Sequence, residues 1–226
     1  MYEPDLTIIH YTANALPDSF SSKVREALIQ CIGDKYPIIS ISHKPMEFGT
    51  NICVGYIGRS IYNIYVQALI GAKAATTPYI ACAEDDCLYI PEHFDHREQV
   101  DTFCYNVNTW KVHNANPPIY FTSGRPIFSA CVAPRDLMIS TLEERFRKYP
   151  KDGIARPYDF GEPGGYEWRL GLPKVEYKMF RTSIPILAFN HKFATHGRRR
   201  ITQYDTSAME LPFWGNAKDV WDRIHG

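Results

Sequence analysis

The chain has 226 residues, of which 45% are hydrophobic and 22% charged, and 25 Lys and Arg residues balance 25 Asp and Glu residues. This composition is typical of a globular domain, and it excludes a disordered chain or one that holds nucleic acid by bulk charge alone. No apolar stretch approaches the ~20 residues that span a bilayer, and residues 1–5 do not resemble a secretory signal. The six cysteines form no C-x-x-C pair. We therefore expect a cytoplasmic protein with reduced thiols and no membrane partner.

The first 42 residues have the pattern of a β-α-β unit. An apolar run at residues 5–11 predicts a buried strand, and apolar spacing over residues 23–32 predicts a helix that ends at Gly33. Residues 36–42 predict the next strand. Such a beginning indicates an α/β sheet whose binding loops follow the carboxyl ends of its strands.

The rest of the chain continues this alternation. A loop at residues 43–58 leads to a predicted helix at 59–75, and a Thr-Pro break separates that helix from a strand at 79–83. Later elements are a short helix opened by Pro91, strands at 102–112, 119–123, 128–133 and 181–189, a helix at 134–148 and a Pro- and Gly-rich loop at 149–165. We expect one domain over residues 1–226.

An acidic cluster, Glu84-Asp85-Asp86, directly follows the apolar strand at residues 79–83. Three adjacent carboxylates repel one another, and a bound cation is the usual compensation. Mg²⁺ and Mn²⁺ bind carboxylate oxygens and share their remaining positions with substrate phosphates. Because ligands of α/β folds bind beyond the carboxyl ends of strands, this position predicts a site for a metal and a diphosphate.

The segment from Gly58 to Asp86 resembles the first half of GT-A fold glycosyltransferases. In that family a helix precedes a strand that ends in a D-x-D-like motif, and the motif holds a divalent metal and the diphosphate of a nucleotide sugar. Residues 128–133 resemble the strand that floors the acceptor site, and the whole pattern is most similar to bacteriophage-encoded members.

The resemblance implies an α/β fold with a GT-A-like, Rossmann-like mixed sheet flanked by helices and a C-terminal extension. Residues 1–100 would form the nucleotide-sugar-binding half, residues 101–195 the acceptor half and residues 196–226 the C-terminal segment. The implied cofactors are Mn²⁺ or Mg²⁺ and a nucleotide-sugar donor, for which we expect a UDP-sugar.

The implied metal ligands are Glu84, Asp86 and His191, since many GT-A enzymes complete the metal shell with a late histidine. His196 is the competing histidine. The motif here is E-D-D rather than D-x-D, which leaves open whether Asp85 or Asp86 contacts the metal directly.

Five further residues are candidates for contacts with the donor, together with Glu84 and Asp85. Tyr11 and Thr12 follow the first strand, and Arg59 begins the second helix. Arg198 and Arg199 belong to a basic run that could bind the donor diphosphate, bind the backbone of a nucleic-acid acceptor, or remain a solvated loop.

Two acidic residues are candidates for the catalytic base. Glu162 lies in a Gly-Glu-Pro-Gly turn that would fix its direction, and Glu167 lies in a stretch similar to the G-G-x-E-D of relatives, with Trp168 in place of the second acid. An inverting transfer needs one carboxylate to take the proton of the acceptor hydroxyl. We favour Glu162.

The acceptor could be a saccharide, a small molecule or a hydroxymethylated pyrimidine in phage DNA, and only the resemblance and the basic run favour DNA. The sequence leaves the oligomeric state open. A nucleotidyltransferase or metal-dependent phosphohydrolase would also place carboxylates at strand ends, although a second acidic cluster or a Gly-rich phosphate loop with Lys is not evident. A binding module without catalysis would not need the buried E-D-D cluster.

Overall fold

A computed structural model describes residues 3–98, 101–150, 160–192 and 200–226. The strands are β1 (Leu6–Thr12), β2 (Ile38–Ser42), β3 (Thr50–Cys53), β4 (Tyr79–Glu84), β5 (Cys87–Leu88), β6 (Thr102–Asn106), β7 (Thr109–His113), β8 (Ile119–Thr122), β9 (Cys131–Pro134), β10 (Glu176–Phe180), β11 (Ile186–Asn190), β12 (Thr206–Ala208), β13 (Glu210–Leu211) and β14 (Gly215–Asn216). The α-helices are α1 (Asp18–Ile32), α2 (Ile61–Ala74), α3 (Pro91–Asp95), α4 (Arg135–Lys148), α5 (Glu167–Leu170) and α6 (Ala217–His225).

The central sheet has seven strands in the order β10-β6-β9-β4-β1-β2-β3. Strands β4, β1, β2 and β3 run parallel to one another, whereas β9 is antiparallel to both β4 and β6. A second sheet has the order β12-β8-β7-β11-β5, and β13 pairs with β14. The predicted α/β class, with a mixed sheet flanked by helices, is confirmed.

Helices cover both faces of the central sheet. On one face, side chains of α2 and α4 pack on β1, β2, β4 and β6. Gly71 lets α2 approach β1 closely, because a Cβ at this position would lie 2.3 Å from Cγ2 of Ile9. On the other face, Leu28 and Ile32 of α1 and Phe94 of α3 pack against β1, β4 and β9. The central strands β1, β4 and β9 are therefore buried on both sides, and polar side chains can gather where these strands end.

The C-terminal residues extend the second sheet. Strand β12 pairs with β8, and α6 packs on α1 and β8. Phe20 of α1 meets the ring of His225 of α6 at a centroid distance of 4.8 Å. Among the described helices, none combines the length and the hydropathy that crossing a membrane requires.

Several element predictions were wrong in their bounds. The loop predicted at residues 43–58 contains β3, an edge strand with few apolar residues. The single strand predicted at 102–112 is two strands in different sheets. The side chain of Asn106 accepts a hydrogen bond of 2.9 Å from the amide of Asn108, and this turn separates β6 from β7.

Three other elements also differ from the prediction. Helix α1 begins at Asp18, directly after Pro17, whose carbonyl accepts bonds from the amides of Phe20 and Ser21. Residues 128–130 form a 3₁₀ turn before β9 rather than the first half of a strand. The late strand is β11, and the preceding β10 is an exposed edge that alternation does not reveal.

A buried ion pair joins α4 to α5. The side chains of Arg145 and Glu167 are 0% and 2% exposed, and Arg145 Nε donates to Glu167 Oε1 over 2.9 Å. Arg145 Nη1 also donates to the carbonyl of Gly161 over 2.7 Å, and Glu167 Oε2 accepts from the amide of Gly164 over 2.6 Å. The pair therefore fixes the backbone on both sides of Glu162.

Arg145→Met is expected to lower the free energy of unfolding by about 3–5 kcal/mol, because it leaves the Glu167 carboxylate buried without its cation. Urea unfolding followed by circular dichroism measures the loss. Arg147→Met is the matched control, since Arg147 lies on the same helix with a side chain that is 79% exposed, and it should cost less than about 1 kcal/mol. Equal losses in the two variants would contradict this role of the pair.

Candidate active site at the end of β4

The acidic cluster Glu84-Asp85-Asp86 lies where β4 leaves the central sheet. In the parallel pairing of β1 with β4, Tyr11 is opposite Glu84. The amide of Glu84 donates to the hydroxyl of Tyr89 over 3.1 Å, and that hydroxyl donates to the carbonyl of Ser129 over 2.9 Å. The backbone at the start of the cluster is thus held by a buried tyrosine and faces the crevice beyond β1 and β4.

His191 and Asp86 are brought together by the second sheet. Strand β5, directly after the cluster, pairs antiparallel with β11, and the amide of Phe189 donates to the carbonyl of Asp86 over 2.8 Å. His191 follows β11, and its Nε2 lies 2.9 Å from Oδ2 of Asp86. The structure therefore brings together these two candidate metal ligands, which are 105 residues apart in the sequence.

Asp85 points toward β1. Its Oδ2 accepts a short hydrogen bond from the hydroxyl of Thr12, and the same hydroxyl oxygen accepts a bond of 2.8 Å from the amide of Asn14. Asp85 is thus tied to the end of β1 and Asp86 to the end of β11. The two carboxylates that the sequence could not distinguish face different sides of the cleft.

Burial and mutual repulsion raise the pKa values of two carboxyl groups in the acidic cluster. Loss of solvation, and then the charges of Asp86 and Asp85, raise the pKa of Glu84 to about 8. Loss of solvation and the charge of Asp86 also raise the pKa of Asp85 to about 6, against the hydrogen bond from Thr12. Carboxylates that resist ionisation together are expected to bind a cation, because its charge stabilises their ionised forms.

Three side chains at the cluster lie close enough together to hold a metal ion. One ligand atom each from Glu84, Asp86 and Cys87 lie within 4.8 Å of one another, and the imidazole of His191 reaches Asp86 from the facing strand. Burial, and then the charges of Asp86 and Glu84, raise the pKa of the Cys87 thiol well above its usual value. Cys87 Sγ accordingly donates to Asp86 Oδ1 over 3.3 Å. The carboxylates and the imidazole are thus the suitable ligands, and the thiol orients one of them.

The cleft beside the cluster has about 650 Å³ of space, including the part open to solvent. It is lined by the predicted residues Tyr11, Thr12, Arg59, Glu84, Asp85, Asp86 and His191, and by Ala13, Ala15, Leu16, Gly58, Ser60, Asn63, Ile64 and Gln67. One cleft therefore holds every candidate donor and metal residue that lies within the described part of the chain.

Sequence analysis did not identify Asn63 and Gln67, two residues of α2 that line the cleft. The Asn63 amide donates to the carbonyls of Ile57 and Gly58 over 2.5 and 2.9 Å, and the Gln67 amide donates to those of Thr12 and Ile41, each over 2.9 Å. They hold the cleft loop and the ends of β1 and β2. The available indication was two polar residues four positions apart in a largely apolar helix.

The side chain of Tyr11 is almost fully buried beneath the cleft. Its side chain is 3% exposed, and its ring stacks on Phe128 at a centroid distance of 5.9 Å. A stacking partner for a nucleotide base would need an uncovered face. The side chain of Tyr11 therefore belongs mainly to the core under the cleft.

A second cavity contains Glu162. It is lined by Tyr105, Lys111, Ser123, Arg125, Pro126, Ile127, Glu162, Gly165, Tyr166 and Tyr177. Burial raises the pKa of Glu162, while its own backbone amide and the charge of Arg145 oppose the shift. Lys111 was not identified from the sequence. Its charge lowers the pKa of Glu84 slightly, against the larger effect of burial that raises it.

Glu162 and Glu167 have different environments. Glu162 lines a cavity, whereas Glu167 is 2% exposed and engaged by Arg145 and by the amide of Gly164. The remaining predicted residues, His196, Arg198 and Arg199, lie outside the described part of the chain.

Comparison with solved structures finds enzymes of two classes. A glycosyltransferase involved in the glycosylation of the major capsid of PBCV-1 is 10% identical, with a TM-score of 0.48, over 82% of this chain and 92% of that chain. The mannosyltransferase PcManGT from Pyrobaculum calidifontis, in complex with GDP-Man and Mn²⁺, is 11% identical, with a TM-score of 0.47, over 86% of this chain and 59% of that chain.

The second class transfers nucleotidyl groups. A 2-C-methyl-D-erythritol 4-phosphate cytidylyltransferase from Thermus thermophilus is 9% identical, with a TM-score of 0.46, over 88% of this chain and 95% of that chain. No protein-family model matches the chain, and no curated protein matches it. Similarities of this size do not define a family, so the function has to be inferred from the site.

Asp86→Asn is expected to abolish the stabilisation of the fold by Mn²⁺. The substitution removes the charged carboxylate that lies close to both His191 and Glu84. A ligand at 100 times its Kd stabilises a fold by about 2.7 kcal/mol, which is about 5–10 °C in Tm for a chain of this size. Thermal unfolding with and without MnCl₂ measures the shift. The matched control is Asp136→Asn on α4, where the side chain is 89% exposed. A full Mn²⁺ shift in the Asp86 variant would exclude the cluster as the metal site.

Proposed function

We propose that the protein is a metal-dependent glycosyltransferase that moves a sugar from a nucleoside diphosphate sugar to an acceptor hydroxyl. The observation that carries the proposal is the convergence of Asp86 and His191, 2.9 Å apart, beside Glu84 and Asp85 in one cleft. A hard cation with carboxylate and imidazole ligands keeps open positions that suit a diphosphate.

The cleft residues divide into metal ligands and donor contacts. Glu84, Asp86 and His191 would hold Mn²⁺ or Mg²⁺, and the bound ion would neutralise charge on the departing diphosphate. Asp85, held by Thr12, faces the end of β1, where it would accept hydrogen bonds from the nucleoside. Arg59 also lines the cleft and would bind phosphate oxygens.

Glu162 is proposed as the base. As the acceptor oxygen bonds to the anomeric carbon, the bond from that carbon to the donor phosphate oxygen breaks, and Glu162 takes the hydroxyl proton. A carboxylate whose pKa is raised by burial is a stronger base than a solvated one. Glu167 would act as a positioning residue, since its pair with Arg145 holds both ends of the turn that carries Glu162.

The donor nucleotide and the acceptor remain predictions. We expect a UDP-sugar from the family resemblance. A hydroxymethylated pyrimidine in phage DNA stays a candidate acceptor, and its supporting residues Arg198 and Arg199 lie beyond the described part of the chain.

A donor screen tests the proposal. Thermal unfolding is recorded with UDP-, GDP- and CMP-sugars and with CTP, each with and without Mn²⁺. Stabilisation by a nucleotide sugar that requires Mn²⁺ and disappears in Asp86→Asn supports a glycosyltransferase. Stabilisation by CTP but not by nucleotide sugars, together with release of pyrophosphate, would contradict the glycosyltransferase proposal and support a nucleotidyltransferase.

Glu162→Gln is expected to lower kcat by about 10²–10⁴-fold, the usual contribution of a general base, with unchanged donor affinity. The donor is the nucleotide sugar found by the screen, and turnover is measured as nucleoside diphosphate release. Glu176→Gln is the control, because its side chain is 61% exposed and pairs with Lys174. If Glu162→Gln keeps its turnover and a folded Glu167→Gln variant loses it, Glu167 rather than Glu162 is the base.

A further inference from the structure

The cavity around Glu162 has the size of a small-molecule site. Its volume is about 360 Å³, and pockets for compact ligands span about 300–1,000 Å³. Its lining combines two accessible tyrosine rings, two cations and one carboxylate, which are Tyr166, Tyr177, Lys111, Arg125 and Glu162. Tyr105 is fully buried and packs against Tyr177 at a centroid distance of 6.2 Å. Such a surface suits a ligand with both a ring or carbon chain and an anionic group.

The two cations of this cavity are available to a ligand. Among the described residues, neither Lys111 nor Arg125 forms an ion pair with an acidic side chain, whereas the nearby Arg145 does. Lys111 is half-buried and lies near enough to Glu84 for its charge to act there, and Arg125 is exposed at the rim. An anion that enters this cavity would meet charge-assisted hydrogen-bond donors on its lining.

The turn that carries Glu162 packs closely against the tyrosines of this cavity. Gly164 has a φ of +88°, and a Cβ at this position would lie 2.6 Å from Cβ of Tyr177, so a glycine is required for the turn to pack there. The Tyr105 hydroxyl donates to the carbonyl of Pro163 over 2.7 Å. Tyr177 is 40% exposed and presents part of its ring to solvent. The accessible tyrosine rings therefore offer a surface for a sugar ring or polyol chain.

We propose that the cavity binds the acceptor, and that the acceptor is a small phosphorylated sugar or polyol whose phosphate lies between Lys111 and Arg125. This inference rests on the proposed transferase function, since it assigns the second substrate of that reaction. Two cations match one phosphate group. A duplex is bound largely through several contacts along its phosphate backbone, whereas the described lining of this cavity offers two cations.

The test measures binding by titration calorimetry in the presence of Mn²⁺ and the donor diphosphate. The probes are glucose 6-phosphate and glycerol 3-phosphate, with glucose and glycerol as their unphosphorylated partners and a duplex oligonucleotide with hydroxymethylcytosine as a separate arm. Each phosphorylated probe is expected to bind at least about tenfold more tightly than its partner. Arg125→Met and Lys111→Met should each weaken phosphate binding by about tenfold. Lys73→Met, in the last turn of α2 and outside the lining of both cavities, should have no effect.

Three outcomes would overturn the inference. These are equal affinity for phosphorylated and unphosphorylated probes, a phosphate preference that survives in the Lys111→Met, Arg125→Met double variant, and tight binding of the duplex alone. Donor binding is measured separately, as Mn²⁺-dependent stabilisation by the nucleotide sugar. Failure of the transferase proposal would appear there, even if the cavity binds phosphate as expected.

Discussion

Strand β4 is covered on both faces and lies between β1 and β9, and this constraint determines where the molecule can carry charge. From Ile80 to Ala83 its side chains are fully buried and apolar, so acidic residues can follow only where the strand leaves the sheet. There the flanking strands provide Thr12 on one side and, through β5 and β11, His191 on the other. Burial therefore raises the pKa values of Glu84 and Asp85, while the acidic cluster still lines a cleft that a ligand can enter.

The local sequence pattern predicts the acidic cluster at the end of a buried strand, but it does not predict contacts that depend on the pairing of distant strands. The apolar strand and its three carboxylates are contiguous in the sequence, so their burial and repulsion can be inferred without a structure. The approach of His191 to Asp86 depends on the pairing of β5 with β11, and a two-residue strand leaves no periodic pattern. Lys111 was missed for a related reason, because the turn at Asn106 that sends β7 into the second sheet decides which cavity the lysine lines.

The two acidic residues of the Gly-rich turn show that environment distinguishes groups that sequence treats as equivalent. Glu162 lines a cavity, where burial raises its pKa, and Glu167 is neutralised by Arg145 inside the core. Desolvation of the buried pair costs free energy. The structural role of the pair lies in its remaining hydrogen bonds, which hold the backbone on both sides of Glu162.

The contact between Asp86 and His191 also has a consequence for folding. It spans 105 residues and requires strands of both sheets to be in place, so it closes a long loop in the chain. Contacts of such sequence separation incur a large loop-closure entropy, and they slow folding relative to local ones. The proposed ligand set of Glu84, Asp86 and His191 would therefore be complete only in molecules in which β5 has already paired with β11.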